Sequence, residues 1–330
     1  MLGSVFDADD ALQETLVRAW RGVDGLHDEA AARPWLYRIA TNVCLTELER
    51  RQRRMLPHDF GPAAAPGTPP GEPAAESTWL EPYPDASVGL PAGRAAPEAS
   101  YEQHEAVELA FVAALQNLAP NQRAVLILRE VLGFSAEESA SMLDTTVPSV
   151  TSALQRARSA VRDRVPKRTQ QANLRALGDR SLSSLVERYV DAWERVDVDA
   201  FVALLTEDAS FAMPPLRTWY TPRATIATWV RESPLSGAWR WRTVVTRANA
   251  QPALGFYALD PQTNVYQPFA LNVLSVTADG LVDDVTAFIV RATDPEPAAS
   301  RDYSRFPERP MNGQRLIGAF ERFGLPARLD

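Results

Sequence analysis

The stretch RPWLYRIATNVCLTELERRQRR, residues Arg33–Arg54, has the pattern of one amphipathic helix that begins with aromatic residues and ends in arginines. Pro34 suits a first helical position, where its missing N–H costs nothing. Apolar residues recur at helical spacing and define the face expected to be buried: Leu36, Ile39, Ala40, Val43 and Leu48. The remaining aromatic and basic side chains are expected on another surface.

That second surface has two interpretations. Arginines neutralise phosphates and flat rings stack on unpaired bases, which favours a nucleic-acid surface. Arginines near a helix C-terminus also interact favourably with the helix dipole, which favours a solvated basic end. The helix alone does not decide between them.

Composition sets the outer limits. The chain has 330 residues and a formal net charge of −8, enough length for two or three small domains. The net acidity excludes a protein that coats DNA indiscriminately, so any nucleic-acid surface must be local. Cys44 is the only cysteine, which excludes a disulfide framework and a Cys-rich zinc site. Since no signal peptide or membrane-spanning run is recognisable, we expect a cytoplasmic protein with no membrane association, metal or cofactor.

The segments on either side of the opening helix differ in character. Asp7–Arg21 predicts a helix with Asp7 as its N-cap. Its inward face is expected to hold Ala8, Ala11, Leu12, Leu16, Ala19 and Trp20. Residues 57–100 are rich in Pro, Gly and Ala and carry mostly acidic charge, which predicts an extended linker. This linker is either a passive tether or is anchored by Trp79 and Tyr83.

Residues 101–165 predict a second helical unit. Pro120 begins a helix that Gly133 ends, and Ser135 with Glu138 forms the capping box of a short helix. After a tight turn, Thr146 caps a longer helix. Its buried positions are expected to be Val147, Val150, Leu154, Ala157 and Val161. A short helix, a tight turn and a long amphipathic helix are typical of a helix-turn-helix.

The outer face of the longer helix carries polar and basic side chains: Ser149, Thr151, Ser152, Gln155, Arg156, Arg158 and Arg162. Polar groups at its N-terminal end can reach base edges, and arginines further along can hold phosphates. A helical hairpin with a solvated face is the alternative. The capping box, the turn length and the arginine placement together favour DNA binding.

A second linker, residues 166–180, precedes a third domain over residues 181–330. Helical patterns come first, over Ser181–Arg195, Asp199–Glu207 and Thr221–Glu232. Strand patterns follow over Trp239–Arg247, Ala253–Leu259, Val265–Val276 and Leu281–Val290. Helices followed by an antiparallel meander predict an α+β domain with a curved sheet folded over helices. The whole chain is therefore expected to be multidomain, with two all-α domains before an α+β domain.

Several of these stretches resemble a known family. ADDALQETLVRAWRG (residues 8–22) and RPWLYRIATNVCLTELERR (residues 33–51) resemble the part of bacterial extracytoplasmic-function (ECF) sigma-70 factors that binds core RNA polymerase and opens the −10 element. LAPNQRAVLILREVLGFSAEESASMLDTTVPSVTSALQRARSAVR (residues 118–162) resembles their −35-reading region. The third domain resembles the SnoaL-like branch of the NTF2 fold. FERFGLPARL (residues 320–329) resembles the tail of sigma factors fused to such a domain.

The resemblance implies a division of the chain and its partners. Residues 1–56 would be sigma region 2, truncated at its N-terminus because family members begin with a further helix. Residues 57–100 would be the linker, residues 101–165 region 4, residues 166–180 a second linker and residues 181–330 the SnoaL-like domain. The implied partners are the β and β′ subunits of core RNA polymerase, promoter DNA and, for the third domain, a small-molecule ligand.

The resemblance also implies three sets of site residues. Those implied to bind core polymerase are Asp9, Asp10, Gln13, Glu14, Arg18 and Trp20. Those implied to meet the separated −10 strand are Arg33, Trp35, Tyr37, Arg38, Asn42, Arg50 and Arg53. Those implied to contact the −35 element are Thr146, Ser149, Thr151, Ser152, Gln155, Arg156 and Arg158.

Catalysis in the third domain has little support in the sequence. All histidines (His27, His58 and His104) and Cys44 precede it, so we expect no histidine or cysteine chemistry there. Isomerase-type chemistry by a carboxylate in an apolar pocket remains conceivable. The candidate pocket residues are Trp193, Asp208, Trp219, Tyr220, Tyr257 and Tyr266. The tryptophans, Trp229, Trp239 and Trp241 included, either fill the core or line a cavity.

Three functions therefore stand open. The favoured one is a promoter-specificity subunit of RNA polymerase, not an enzyme, with a regulatory third domain. The others are a small-molecule isomerase or hydrolase tethered to DNA, and a DNA-binding repressor with a ligand-sensing domain. The sequence identifies neither the promoter, the inducing signal nor an anti-sigma partner, and it leaves open whether the third domain activates or represses.

Overall fold

The computed structural model describes residues 1–51, 53–71, 79–88, 105–106, 108–162, 164–166, 168–261, 263–289 and 318–330. The chain forms two compact units. Unit 1 comprises Met1–Met55, Ser77–Tyr83 and Pro97–Lys167. Unit 2 comprises Leu56–Glu76, Pro84–Ala96 and Arg168–Asp330. The predicted boundary between residues 100 and 101 lies outside the described residues.

Unit 1 is helical. Its helices are α1 (Val5–Gly22), α2 (Ala32–Arg50), α3 (Leu109–Gln116), α4 (Pro120–Leu126), α5 (Ala136–Met142) and α6 (Val147–Arg162). Helix α4 continues into a π-helical turn over Ile127–Val131, and Gly133 at φ +72° ends the run. The capping box before α5 is present, with Ser135 and Glu138 bonded reciprocally to each other's backbone N–H. The predicted helix-turn-helix is therefore present and consists of α5, the turn that follows it and α6.

Helix α1 packs through small side chains. Its N-cap is Ser4, so the prediction of Asp7 as the cap is wrong. The buried positions of α1 are Val5, Asp7, Ala11, Thr15 and Ala19. Leu12, Leu16 and Trp20, predicted to face inward, are 57%, 56% and 79% exposed. Small residues at a spacing of four fit a close helix contact, which leaves the large apolar side chains on the opposite side.

Helix α2 ends four residues earlier than predicted, because Arg51 adopts an extended conformation. Its fully buried residues are Thr41 and Val43. Ile39 and Leu48 are partly buried against the cluster that contains Val43. Leu36 is among the exposed large apolar residues, so the predicted buried face is only partly confirmed.

Part of the predicted linker belongs to unit 1. Trp79 pairs with Met55 in a parallel bridge, and the Leu80 N–H donates to the Met55 carbonyl at 3.1 Å. The Glu81 N–H donates to the Gly3 carbonyl at 3.0 Å. Because Trp79 and Leu80 are buried, this segment is anchored, in agreement with the second of the two interpretations.

Unit 2 combines helices with one sheet. Its helices are α7 (Gln170–Leu177), α8 (Asp179–Glu194), α9 (Val198–Ala203) and α10 (Arg223–Glu232). Its strands are β1 (Leu205–Ala212), β2 (Trp219–Tyr220), β3 (Trp241–Ala248), β4 (Gln251–Asp260), β5 (Val265–Val276) and β6 (Val282–Ile289). The order is β2-β1-β6-β5-β4-β3, with β1 parallel to β6 and the other pairs antiparallel. The predicted α+β class and the meander of four strands are confirmed.

Two elements of unit 2 differ from the prediction. The helix predicted over Asp199–Glu207 ends at Ala203, and the chain continues as β1. Pairing of Leu205 with Val282 of β6 and the burial of Leu205 outweigh local helix propensity there. Helix α7, not predicted from the sequence, lies within residues 166–180. It is held by Gln170 Oε1, which accepts from the Val276 N–H at 2.8 Å, and by Asn173 Nδ2, which donates to the Val276 carbonyl at 2.9 Å.

The C-terminal tail, residues 318–330, packs on β4 and β5 of unit 2. Tyr266 and Leu329 exchange backbone hydrogen bonds of 2.9 and 3.0 Å. The Tyr257 hydroxyl donates to the Pro326 carbonyl at 2.8 Å. Phe320 and Leu325 are buried beside Gly255, where a Cβ atom would lie 2.6 Å from Leu325 Cδ1. Gly255 is therefore required for the close approach of the tail.

We expect Gly255→Val to displace the tail, since the added side chain overlaps Leu325. Overpacking of this kind costs about 1–3 kcal/mol. Urea unfolding and hydrogen exchange of residues 318–330 would measure the loss. Gly25→Val is the control, because a Cβ atom at Gly25 meets no atom within 4 Å. Unchanged protection of the tail in Gly255→Val would contradict the assignment.

Among the helices in the described part of the chain, none combines the length and the apolarity needed to cross a bilayer.

Candidate functional site

Helix α1 presents an exposed face that is both apolar and charged. The six residues implied to bind polymerase are all exposed: Asp9, Asp10, Gln13, Glu14, Arg18 and Trp20. Large apolar side chains lie among them and are also exposed: Phe6, Leu12, Leu16 and Val17. Arg18 pairs with Glu14 at 2.7 Å one turn away. A contiguous apolar face with charged neighbours is typical of a protein–protein interface.

Leu12 and Leu16 were predicted to face inward, but they lie on the exposed side of α1. The signal in the sequence is the spacing of Ala11, Thr15 and Ala19, which marks the packed side of the helix as the side with small residues. The prediction is therefore wrong for Leu12, Leu16 and Trp20, whereas Ala11 and Ala19 are buried as predicted.

At the start of α2, two residues implied to bind DNA contact the turn before α5. The Arg33 guanidinium lies 4.2 Å from the Phe134 ring centroid and donates from Nη2 to the Leu132 carbonyl at 2.7 Å. The Tyr37 and Phe134 rings meet edge to face at 5.2 Å. In this arrangement Arg33 and Tyr37 are engaged within unit 1.

The other residues of the same set vary in their surroundings. Trp35 is partly buried next to Gly22, whereas Arg38 and Asn42 are exposed on α2. Arg50 lies 3.9 Å from Glu47, and Arg53 donates from Nη2 to Asn117 Oδ1. Arg38 and Asn42 are thus accessible to a ligand without rearrangement of the backbone.

One arginine at the end of this stretch is structural. Arg54 is 7% exposed and donates from Nη2 to Asp7 Oδ2 at 2.8 Å and from Nη1 to the Trp79 carbonyl at 2.7 Å. Its Nη1 also lies 3.4 Å from Glu81 Oε1. Burial opposes ionisation of Asp7, but hydrogen bonds from Arg51 and Arg54 lower the pKa of its carboxyl. This buried cluster joins the start of α1 to the segment after α2 and to residues 79–81.

Helix α6 and its cap expose all seven residues implied to contact the −35 element. They lie on the side opposite the buried Val150, Leu154 and Ala157. Thr146 Oγ1 accepts from the Ser149 N–H at 3.3 Å and so caps the helix. Arg158 pairs with Glu130. Gln155 and Arg156 make no hydrogen bond or ion pair within the described part of the chain, so both side chains are available to bind a partner.

Unit 2 contains a cavity of about 670 Å³, counting its open mouth. Its walls are largely aromatic: Trp193, Phe211, Trp229, Trp239, Trp241, Phe256 and Phe269. Asn272 and Ser233 contribute polar groups, and Pro70 of the predicted linker completes one side. Among the described residues that line this cavity, none is titratable.

Of the six predicted pocket residues, Trp193 alone lines this cavity. Tyr257 and Tyr266 hold the C-terminal tail instead. Trp219 donates from Nε1 to the Gly61 carbonyl at 3.0 Å, and the Tyr220 hydroxyl donates to the Thr68 carbonyl at 2.9 Å. Asp208 is exposed on β1. The number of aromatic residues made a cavity one of two expectations for this domain. It did not indicate which aromatic rings would line the cavity.

One histidine contacts the third domain, although all three histidines precede it in the sequence. Residue His58 belongs to unit 2, where its Nε2 lies 3.7 Å from Asp284 Oδ1 and its ring lies 4.7 Å from the Trp219 ring. Ser210 also donates to Asp284. Burial lowers the pKa of His58, but the Asp284 carboxylate raises it by more, and the net shift is upward. The sequence analysis missed this cluster because it treated the linker as separate from the domain.

Next to it, Asp283 is a second group that the sequence analysis did not single out. Its Oδ1 is buried with no hydrogen-bond partner within the described residues. Burial and the neighbouring Asp284 carboxylate raise the pKa of Asp283 to about 6. Neither Asp283, Asp284 nor His58 lines the cavity.

The raised pKa of His58 predicts a pH-dependent contribution to stability. A raised pKa in the folded state means that the contribution is fully present below the unfolded pKa of about 6.5 and is lost as pH rises through the folded value. We therefore expect His58→Gln to lower the free energy of unfolding in mildly acidic solution and to match the wild type in alkaline solution. Urea unfolding of both proteins across this range is the measurement. A difference independent of pH would show that the Asp284 contact does not depend on the charge of His58.

Comparisons with known proteins agree with this architecture. Residues 1–54 match the family Sigma-70 region 2, residues 108–161 match Sigma-70, region 4, and residues 186–284 match the SnoaL-like domain. The ECF RNA polymerase sigma factor SigG of Mycobacterium tuberculosis is 41% identical over 292 residues, which cover 88% of this chain and 76% of the relative. The ECF RNA polymerase sigma factor SigE of Mycolicibacterium smegmatis is 30% identical over 172 residues, 51% of this chain and 56% of SigE.

A solved structure has the same overall fold. The extracytoplasmic function sigma factor SigJ of Mycobacterium tuberculosis aligns with a TM-score of 0.51 at 21% identity, over 87% of this chain and 89% of SigJ. The identity to SigG and the matches to both sigma regions agree with this fold. The match to region 2 contains helices α1 and α2, and the match to region 4 contains the helix-turn-helix except the last residue of α6. The chain belongs to the ECF RNA polymerase sigma factors and carries a SnoaL-like domain after sigma region 4.

Proposed function

We propose that this sigma factor divides promoter recognition between two surfaces of unit 1, in the cytoplasm and in complex with the β and β′ subunits of core polymerase. Helix α6 reads the −35 duplex, and α2 captures the melted −10 strand. The observation that carries the proposal is the exposed face of α6, where Gln155 and Arg156 have no partner within the described residues. Long polar and basic side chains on a helix that follows a capped turn fit the major groove.

The −10 role of α2 follows from the chemistry of its exposed side chains. A base can be read on its Watson–Crick edge only after it has left the stack. Aromatic stacking supplies about 1–3 kcal/mol per base, and Asn42 both donates and accepts hydrogen bonds. Arg33 and Tyr37 join this surface once they exchange their contacts with Leu132 and Phe134 for DNA.

In vitro transcription with core polymerase and a genomic promoter library tests the proposal. We expect Arg156→Ala to weaken binding to the −35 duplex about tenfold or more, the loss typical of one specific contact. Asn42→Ala should leave duplex binding intact and reduce open-complex formation. Glu187→Ala, an exposed position on α8 of unit 2, is the control. Absence of any promoter-dependent transcript would exclude the assigned function.

The SnoaL-like domain is proposed to bind a small molecule and to regulate the sigma regions, without catalysing a reaction. General acid–base chemistry needs a titratable group within hydrogen-bond reach of the substrate. The cavity offers none, and Asp208 of the isomerase alternative is exposed elsewhere on β1. An apolar concave site with a few polar groups is typical of ligand binding.

A thermal-shift screen of the full chain against a library of small apolar compounds tests this second part. We expect compounds that raise the unfolding temperature, and mass spectrometry should recover each of them unchanged. Conversion of a bound compound into a product would show that the domain is an enzyme.

A further inference from the structure

The walls of the unit 2 cavity select for uncharged rings. Trp239 and Trp241 are stacked at 5.0 Å with their planes 5° apart, and Phe269 meets Trp241 edge to face at 5.2 Å. Since no titratable side chain lines the cavity within the described part of the chain, a charged group on a ligand would enter it without an ionic partner there. Burial of an unpaired charge is strongly unfavourable, which excludes ionised ligands from tight binding.

Two buried donors in the lining lack acceptors. The Trp193 and Trp229 indole N–H groups have no acceptor within the described residues. Asn272 is buried, and its Nδ2 donates to the Tyr189 hydroxyl at 3.3 Å. Within the same described part, its Oδ1 accepts no hydrogen bond. Because buried polar groups are nearly always satisfied, the two indole N–H groups call for a hydrogen-bond acceptor on a ligand.

The linker forms part of the same cavity. Pro70 lines it directly, and the next residue, Gly71, donates its N–H to Thr218 Oγ1 at 2.8 Å. The Tyr220 ring, whose hydroxyl holds Thr68, stacks on the Trp229 ring at 4.8 Å with the planes 12° apart. A ligand bonded to the Trp229 N–H therefore touches the linker once directly and once through a single stacked ring.

We propose that the cavity binds a neutral ring compound that carries a hydrogen-bond acceptor, and that the docked linker segment 57–71 is part of its binding site. The inference rests on the proposed ligand-binding role of the SnoaL-like domain. It adds the chemical class of the ligand and the segment through which the ligand regulates the chain. If the ligand stabilises the docked segment, then docking strengthens ligand binding by the same factor. The segment belongs to the connection between regions 2 and 4, so ligand binding controls how much of that connection is free.

Three matched naphthalene probes test the chemical class on the full chain by titration calorimetry. These are 2-acetylnaphthalene, 2-ethylnaphthalene and 2-naphthoate, which differ in having a carbonyl acceptor, no acceptor and a charge. We expect the ketone to bind at least about tenfold more tightly than the carboxylate and about 2- to 10-fold more tightly than the hydrocarbon.

The variant Trp229→Phe keeps the ring and removes the N–H. Combined with Trp193→Phe, it should erase the preference of the cavity for the ketone over the hydrocarbon, whereas Trp20→Phe in unit 1 should leave that preference unchanged. Binding of the carboxylate as tight as that of the ketone would overturn the chemical class and leave the binding role standing. Failure of all three probes to bind, together with an empty thermal-shift screen, would overturn the binding role itself.

Hydrogen exchange of residues 60–71 tests the part played by the linker. With 2-acetylnaphthalene at 100 times its dissociation constant, we expect these amides to exchange up to about 100-fold more slowly, while peptides from α6 stay unchanged. Pro70→Gly should weaken probe binding severalfold. Pro66→Gly, the same change at an exposed position of the same segment, should not. Equal effects of the two variants, or unaltered exchange of the segment, would overturn the coupling.

Discussion

Arg54→Ala should destabilise unit 1 by about 3–5 kcal/mol, the usual cost of removing one partner from a buried ion pair. Arg54 is buried and donates to Asp7 at 2.8 Å and to the Trp79 carbonyl at 2.7 Å. Its loss leaves the Asp7 carboxylate buried with only Arg51 to oppose its charge and deprives the Trp79 carbonyl of its donor. Urea unfolding followed by circular dichroism measures the change.

Arg50→Ala is the matched control for this prediction. Arg50 is the last residue of α2, four positions before Arg54, and 72% of its side chain is exposed. Surface substitutions of this kind usually stay within about 0.5 kcal/mol. If both variants lost the same free energy of unfolding, the buried ion pairs of Arg54 would not stabilise unit 1 more than an exposed arginine does.

The same cluster gives a pH dependence of known sign. The pKa of Asp7 is lowered in the folded state, so its contribution to stability is present above its unfolded pKa of about 3.9 and is lost as pH falls through the folded value. Asp7→Asn should therefore be less stable than the wild type at neutral pH, and the two should converge in acid. A gap that persists unchanged into acid would contradict an ionic role.

Local signals in the sequence predicted the elements whose determinants lie close together in the chain. The capping box at Ser135 and Glu138, the stop at Gly133 and the strand over Val265–Val276 all appear as predicted. Each depends on a residue type within a few positions of its partner. The fold class followed from the order of these local patterns.

Contacts between distant residues explain what the sequence did not predict. His58 contacts Asp284, which lies 226 positions further along the chain. Pro70 lines the aromatic cavity. Both His58 and Pro70 lie in a stretch with linker composition. Tyr220 and Tyr257 have the residue type expected of a pocket, but their hydroxyls hold the linker and the tail. Composition predicts how a segment behaves in isolation. Residues 57–71 instead bind a surface formed by distant residues of unit 2.

The division of the linker has a mechanical consequence. Residues 79–81 are anchored in unit 1 by backbone pairing with Met55 and Gly3. Residues 57–71 are anchored in unit 2, chiefly along Trp219 and Tyr220. Each anchor can be released by its own substitution, so the contribution of the two segments to regulation can be measured separately.

Leu12→Asp should weaken binding to core polymerase at least about 30-fold without lowering the stability of the protein. Leu12 is 57% exposed in the centre of the apolar face of α1, so a charge there costs little in the free chain. In a protein interface the same charge is desolvated without a partner, and loss of one central anchor commonly costs about 2 kcal/mol or more. The affinity for core polymerase should therefore fall at least about 30-fold, and transcription should fall with it.

Val245→Asp is the matched control, because Val245 in unit 2 is also apolar and 57% exposed. It introduces the same charge at an equal exposure outside the sigma regions, and we expect it to bind core polymerase like the wild type. Leu16→Asp, one turn further along α1, should reproduce the effect of Leu12→Asp. If Leu12→Asp and Leu16→Asp both bound core polymerase normally while Arg156→Ala still impaired promoter recognition, the exposed face of α1 would not be the polymerase contact, and the unpaired apolar side chains would need another partner.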